Sequence, residues 1–361
     1  MTSWKLNSII ELKTTEMHTA GEPVRIIESG YSEIKGTTLM EKRSFMKTNM
    51  DHIRQLLMRE PRGHADMYGV ILVEPDDPTA HIAALFLQNE GYSTMCGHVT
   101  MALGRYAVDK GLVKPVSPET RVNIQCPCGL VSAFVKYGKH GSGNVRFLSV
   151  PSFAFMLDVS DFRVDVPSIG EISVDIGYGG AYYAVVPASK LKVDITETPV
   201  KTLAELGGLV TKAVKKSLIL THPDNENLAF LYGTIITDGK DEFSDEPTKN
   251  VCVFAGQQVD RSPTGSGVTA RIAIQYARNQ ILLGKKRCFS SCIDSQFFGT
   301  PVKETVCGKY PAIIVEVEGR SFYIGKSTFI LELEDELNTG FLLKSALSDC
   351  VCNYHQAATV D

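Results

Sequence analysis

The chain has 361 residues, 43% hydrophobic and 22% charged, with a formal net charge of -4. That length suggests about two domains, each large enough to bury a core. A mildly acidic balance without a long basic block excludes an obvious nucleic-acid binder, and the lack of any run of eighteen apolar residues argues against a membrane partner.

Residues 1–17 lack the charged start and apolar core of a secretory leader, so a cytoplasmic protein is expected. Nine cysteines, an odd number scattered along the chain, fit free thiols in a reducing compartment. Cys126 with Cys128, Cys288 with Cys292 and Cys350 with Cys352 do not make the paired spacings of a structural zinc site, and no metal is expected.

Taken in order, residues 9–17 read as a strand, His18-Thr19-Ala20-Gly21-Glu22-Pro23 as a stiff turn, and residues 24–28 as its return. Residues 39–58 carry helical periodicity and predict one long helix ending before Pro61. Short strands follow at 70–74 and 82–88, then a helix over 99–109. Residues 122–126, 129–137 and 145–150 predict antiparallel strands, with 162–166 and 172–176 continuing the pattern.

Gly177-Tyr178-Gly179-Gly180 restarts a second unit that resembles the first opening. It predicts a strand, a helix over 202–218, strands at 229–237 and 251–255, a helix over 268–278, period-two sheet over 305–322 and a last strand at 326–333. In the first half, two helices (39–58 and 99–109) among many short strands indicate α+β domains. The expected division is 1–176, 177–340, and a segment 341–361 that returns to pack at an edge of the first domain.

Two stretches share one grammar. Thr94-Met95-Cys96-Gly97-His98 and Asp260-Arg261-Ser262-Pro263-Thr264-Gly265-Ser266-Gly267 each run through a turn with approachable backbone N–H groups into a helix. Such a helix mouth is a socket for a carboxylate, where orphan donors and the positive end of the dipole coincide. Facing one another across a cleft, Gly97, His98, Gly265 and Ser266 would share one carboxylate, while Asp260 would hold an ammonium that His98 positions.

Cys96 at the first turn is a candidate base or nucleophile, because a helix N-terminus tends to draw a thiol toward ionisation. The hydroxyl of Thr264 at the second is no base without unusual activation. An isolated cysteine is ordinarily buried and inert, and a lone His or Asp near a helix start is often a cap. A cysteine hydrolase would need a base against Cys96, which His98 could supply only by curling back. Gly177–Gly180 is too compressed for a dinucleotide fingerprint, and Gly265-Ser266-Gly267 lacks a P-loop lysine.

The two stretches, together with His18-Thr19-Ala20-Gly21-Glu22-Pro23, Pro61-Arg62-Gly63-His64 and residues 175–184, resemble the proline racemase family over nearly the whole chain. That resemblance implies the diaminopimelate epimerase-like fold: two similar α+β domains, each wrapping strands round a central helix, with the site in the cleft between them. It also implies proton removal at the α-carbon of a small imino acid without a cofactor. The family's first cysteine falls on Cys96, and its substrate-holding histidine and aspartate fall on His98 and Asp260. Dimers are common among relatives, which makes a homodimer a candidate assembly.

One departure is decisive: Thr264 stands where racemases carry a second cysteine, which is the pattern of the family's trans-3-hydroxy-L-proline dehydratases. A smaller one, Ala20 in place of a frequent glycine, narrows a turn's freedom. Dehydration by Cys96 opposite Thr264 is therefore the expected activity, with a proline or hydroxyproline racemase or epimerase and a non-catalytic imino-acid-binding protein as the alternatives.

Overall fold

A computed structural model describes residues 9–157, 162–332 and 334–343. The first half opens with the hairpin β1 (Ile9–Thr19) and β2 (Glu22–Ser29), then α1 (Leu39–Asn49), α2 (Asp51–Met58), β3 (Gly69–Val73), β4 (Ile82–Leu87) and the short β5 (Tyr92–Ser93). The helix α3 (Gly97–Asp109) and the meander β6 (Glu119–Cys126), β7 (Gly129–Gly138) and β8 (Gly141–Leu148) complete it. A connection follows through β9 (Phe153–Met156), β10 (Val164–Val166) and β11 (Gly170–Ile172).

The second half repeats the plan. Its elements are the hairpin β12 (Asp175–Tyr178) and β13 (Tyr182–Pro187), then α4 (Val200–Ser217), β14 (Leu231–Thr237), β15 (Thr248–Phe254) and β16 (Gln258–Val259). The helix α5 (Gly265–Ala277) and the strands β17 (Arg287–Ser290), β18 (Gln296–Cys307), β19 (Tyr310–Gly319) and β20 (Ser321–Glu332) follow.

Strand pairing makes the repeat explicit. The parallel pair β2–β3 matches β13–β14, and the antiparallel pairs β3–β4 and β4–β5 match β14–β15 and β15–β16. The parallel returns β4–β6 and β15–β17 then lead into the antiparallel runs β6–β7–β8 and β17–β18–β19. These are two similar units of the diaminopimelate epimerase-like kind, and the resemblance between the two openings in sequence has a structural counterpart.

The halves also exchange strands. β20 pairs along the whole of β1, from Ile9 opposite Glu332 to Thr19 opposite Ser321, while β9 pairs with β12, and β8 with β19. Each half is therefore completed by a strand that the other half's sequence supplies. Alternation alone could not announce this, because period two fixes a strand's faces and not its neighbour.

The helices α3 and α5 have 13 residues each and are buried nearly all round, from Gly97 to Val108 and from Gly265 to Gln275. A helix apolar on every face belongs in a core, and strands wrap both of these. Small residues permit the wrapping: a Cβ on Gly179 would stand 2.2 Å from the Ser266 carbonyl oxygen, so the end of β12 can lie directly on α5.

One expectation is corrected. Residues 39–58 form two helices, because Met50 leaves helical geometry at φ -132°, ψ 17° and buries its side chain. The break turns Ile53, Leu56 and Leu57 of α2 onto the core, whereas α1 starts with a Thr38–Glu41 capping box. Strands expected at 162–166 and 172–176 are shorter or shifted, as β10, β11 and β12. Residues 344–361 of the expected C-terminal segment lie outside the described residues, but Phe341 pairs its backbone with Glu60 at 3.1 and 2.8 Å. No helix among the described residues is long and apolar enough to cross a membrane.

Candidate active site

The N-termini of α3 and α5 meet head to head. A Cβ on Gly97 would lie 2.5 Å from the Cα of Gly265, and one on Gly265 would lie 2.7 Å from the Cα of Gly97. Only glycine permits that approach from both sides. Cys96 is the N-cap of one helix and Thr264 of the other, and no side chain caps either. The first N–H groups of both helices thus stand as orphan donors around one small space.

That space is lined by Cys96, Gly97, His98, Asp260, Thr264, Gly265 and Ser266, every site residue expected from the sequence. Tyr68, Met95, Tyr183, Tyr232 and Phe254 complete the wall. Its free volume is about 10 Å³, room for about one water. A five-membered imino acid enters only if the halves part. A larger groove of about 540 Å³, lined by Asp194, Lys240 and Lys249 among others, shares no residue with this cleft, and Lys249 is already paired with Asp294 at 2.7 Å.

Local structure fixes each group. Thr19 Oγ1 donates to the His98 carbonyl at 2.8 Å, tying the β1–β2 turn to the mouth of α3. Thr94 Oγ1 donates to the Gly180 carbonyl at 2.9 Å, tying Cys96's turn to the other half. Tyr183 and Ser266 share a hydroxyl hydrogen bond of 2.8 Å at the mouth of α5. Asp260 Oδ1 accepts the Ser262 N–H at 2.7 Å, a local turn that aims the carboxyl inward.

Thr264 adopts φ 67° and ψ 93°, a backbone conformation costly for a β-branched residue. Its hydroxyl lies beside the Asp260 carboxyl and the Cys252 thiol, but in no geometry that makes a full hydrogen bond. A buried polar atom left so is available to a ligand.

The electrostatics overturn one expectation. Burial pushes the Cys96 thiol well up; the Val99 N–H and the Tyr68 hydroxyl pull it down, and the buried carboxyls of Asp260 and Glu22 oppose its ionisation further. Desolvation outweighs the helix dipole in this closed space, so Cys96 rests as a thiol. A bound ammonium would neutralise Asp260 and remove part of that opposition.

His98 does curl back: its Nδ1 lies 3.1 Å from Cys96 Sγ. Burial pushes the imidazole down to about 3, against a hydrogen bond to the Pro23 backbone that raises it. The ring is therefore neutral at pH 7, and a thiolate–imidazolium pair of the cysteine-hydrolase kind is disfavoured. Both ring nitrogens have protein neighbours, so His98 touches the thiol as well as facing the ligand space.

Asp260 is 4% exposed, and burial raises its carboxyl to about 6 against hydrogen bonds from Ser262 and its other neighbours. It is ionised at pH 7, a buried negative charge able to pair with a cation. Sequence reasoning missed Tyr68, Tyr183, Tyr232 and Phe254, which come from strands or the approach to a strand and carry no motif. It also read Glu22 as part of a turn, although that side chain is fully buried beside Asp260.

Comparison with known proteins gives the family and the fold. Residues 14–342 match the proline racemase family. The chain is 56% identical over 329 residues to the trans-L-3-hydroxyproline dehydratase of Saccoglossus kowalevskii, covering 91% of this chain and 100% of that one. It is 54% identical over 339 residues to the human trans-3-hydroxy-L-proline dehydratase, covering 92% and 95%. Among solved structures, a hydroxyproline epimerase from Agrobacterium vitis with bound trans-4-hydroxy-L-proline superposes with a TM-score of 0.86 at 27% identity, over 95% of this chain and 96% of that one. With its paired helix mouths and a family match running almost end to end, this chain belongs to the proline racemase family.

Proposed function

We propose that this protein is a hydro-lyase that dehydrates trans-3-hydroxy-L-proline to Δ2-pyrroline-2-carboxylate, which tautomerises to the Δ1 imine. The reading rests above all on the opposed helix mouths: one begins at a cysteine and the other at a threonine. Relatives sharing more than half their residues with this chain act on the same imino acid by name.

The substrate's carboxylate binds the orphan N–H groups of Gly97, His98, Gly265 and Ser266, and its ammonium binds Asp260. In the trans-3-hydroxy-L isomer the α-hydrogen and the hydroxyl share one ring face. Cys96, as thiolate, takes the α-proton; the electrons of that C–H bond become the C2–C3 double bond as the C3–O bond breaks. The thiol so formed returns its proton to the departing oxygen, which leaves as water, and the thiolate is regenerated. Thr264 closes the opposite face and offers its hydroxyl to the carboxylate. An epimerase would need an acid there, which threonine does not supply.

We also place the protein in the cytoplasm, because the seven cysteines among the described residues are all unpaired. The test of function is proton NMR in D2O with trans-3-hydroxy-L-proline, trans-4-hydroxy-L-proline and both proline enantiomers. The expected result is consumption of the first alone, with pyrroline carboxylate appearing, while L-proline exchanges at most its α-hydrogen. Epimerised 4-hydroxyproline would favour the epimerase reading, and no exchange of any α-hydrogen would favour a binding protein.

A further inference from the structure

Glu22 begins β2 in the first half, yet it reaches the loop that carries Asp260 in the second. Its side chain is 0% exposed, and its Oε2 accepts the Arg261 N–H at 2.7 Å. The other oxygen, Oε1, is buried with no donor to satisfy it. Through its bond to the Arg261 N–H the Glu22 carboxyl lies next to Asp260, the residue before Arg261, and Asp260 as a carboxylate is itself only an acceptor.

Two buried carboxylates side by side repel, and a second acceptor gives the orphaned Glu22 Oε1 nothing to bond. The Arg261 charge relieves them only in part, because its guanidinium is committed to Asp66 at 2.8 Å and to the Val259 carbonyl at 2.7 Å. Asp66 and the thiols of Cys96, Cys252 and Cys292 also interact with Glu22, and none of them is a cation. A proton on Glu22, donated to Asp260, resolves the arrangement.

We propose that Glu22 is a positioning residue that stays protonated and hydrogen-bonds Asp260, so that this buried carboxyl pair meets the substrate's ammonium as a single negative charge. It acts through Asp260 and does not touch the substrate. Because Glu22 also clasps the Arg261 backbone, the same carboxyl fastens the first half to the loop that receives the ammonium. Burial and the Asp260 charge both push Glu22 well above the usual carboxylate range, against the Arg261 N–H and charge, which agrees with this state.

The proposal rests on Asp260 receiving the ammonium, and its test includes a readout that needs no turnover. At pH 8, infrared difference spectra of the wild type against Glu22→Gln should contain the carbonyl stretch of one protonated carboxyl that the variant lacks; its absence from the wild type overturns the proposal whatever the enzyme's substrate. Glutamine is the neutral isostere of protonated glutamate, so E22Q should keep kcat/KM within about threefold of wild type, and Glu22→Ala should lose about 100-fold, chiefly through KM. E22Q should also hold its kcat/KM to higher pH, having no proton to lose, which a purely structural Glu22 would not cause. An E22Q protein that falls as far as E22A, fails to fold, or keeps the wild-type alkaline limb contradicts the proposal.

Discussion

Replacing Cys96 with serine lowers kcat for dehydration by about 10³-fold, inside the range a positioned acid–base group contributes. A serine hydroxyl resists ionisation far more than a thiol does, so the variant lacks the group that takes the α-proton. Ligand binding should survive, because the N–H groups of Gly97, His98, Gly265 and Ser266 and the Asp260 carboxylate are untouched. The check is single-turnover kinetics alongside calorimetric titration with L-proline. Since burial holds the Cys96 thiol up, wild-type kcat/KM should still be climbing above neutral pH, and C96S should lose that limb. Near-normal dehydration by C96S would remove Cys96 from the mechanism.

Asp260→Asn is expected to cost about 10² to 10⁴-fold in kcat/KM, mostly in KM, as deletion of one partner from a buried charge pair costs roughly 3–5 kcal/mol. The pH dependence gives a sharper signature. The folded-state value of Asp260, about 6, lies above its ordinary 3.8, so its stabilising contribution is complete at low pH and is lost as pH rises through about 6. Substrate binds the ionised form, so affinity rises through the same window; in D260N that rise disappears.

His98 has the opposite sign. Its value of about 3 against an ordinary 6.5 means stability is present above 6.5 and is lost as pH falls toward 3. The two groups oppose one another between about pH 4 and 6. Thermal melting of D260N across that interval should therefore rise with pH more steeply than the wild type does. An unchanged profile would show that Asp260 does not titrate there.

How far the sequence could lead is visible residue by residue. Cys96, His98, Asp260 and Thr264 were legible because they sit where glycines and a proline announce a helix mouth, and local backbone chemistry has a local signature. Glu22 lies in a recognisable turn, but its burial depends on a loop 239 positions later, the span of its hydrogen bond to Arg261. Tyr68, Tyr232 and Phe254 look like any aromatic in or beside a strand until the halves close on them. The resting state of Cys96 was misjudged for a related reason: the helix dipole is written in sequence, whereas desolvation is set by what the rest of the fold packs around it.

In the proposed mechanism one thiol works from one side of the ring, with no second thiol across from it. Chiral chromatography with mass detection, after L-proline is incubated in D2O with the wild type and with Thr264→Cys, tests this most directly, because proline has no hydroxyl to lose. The wild type should place deuterium on the α-carbon of L-proline without forming D-proline, and T264C should form D-proline. D-proline from the wild type, or none from a folded T264C that still exchanges the α-hydrogen, would contradict the claim.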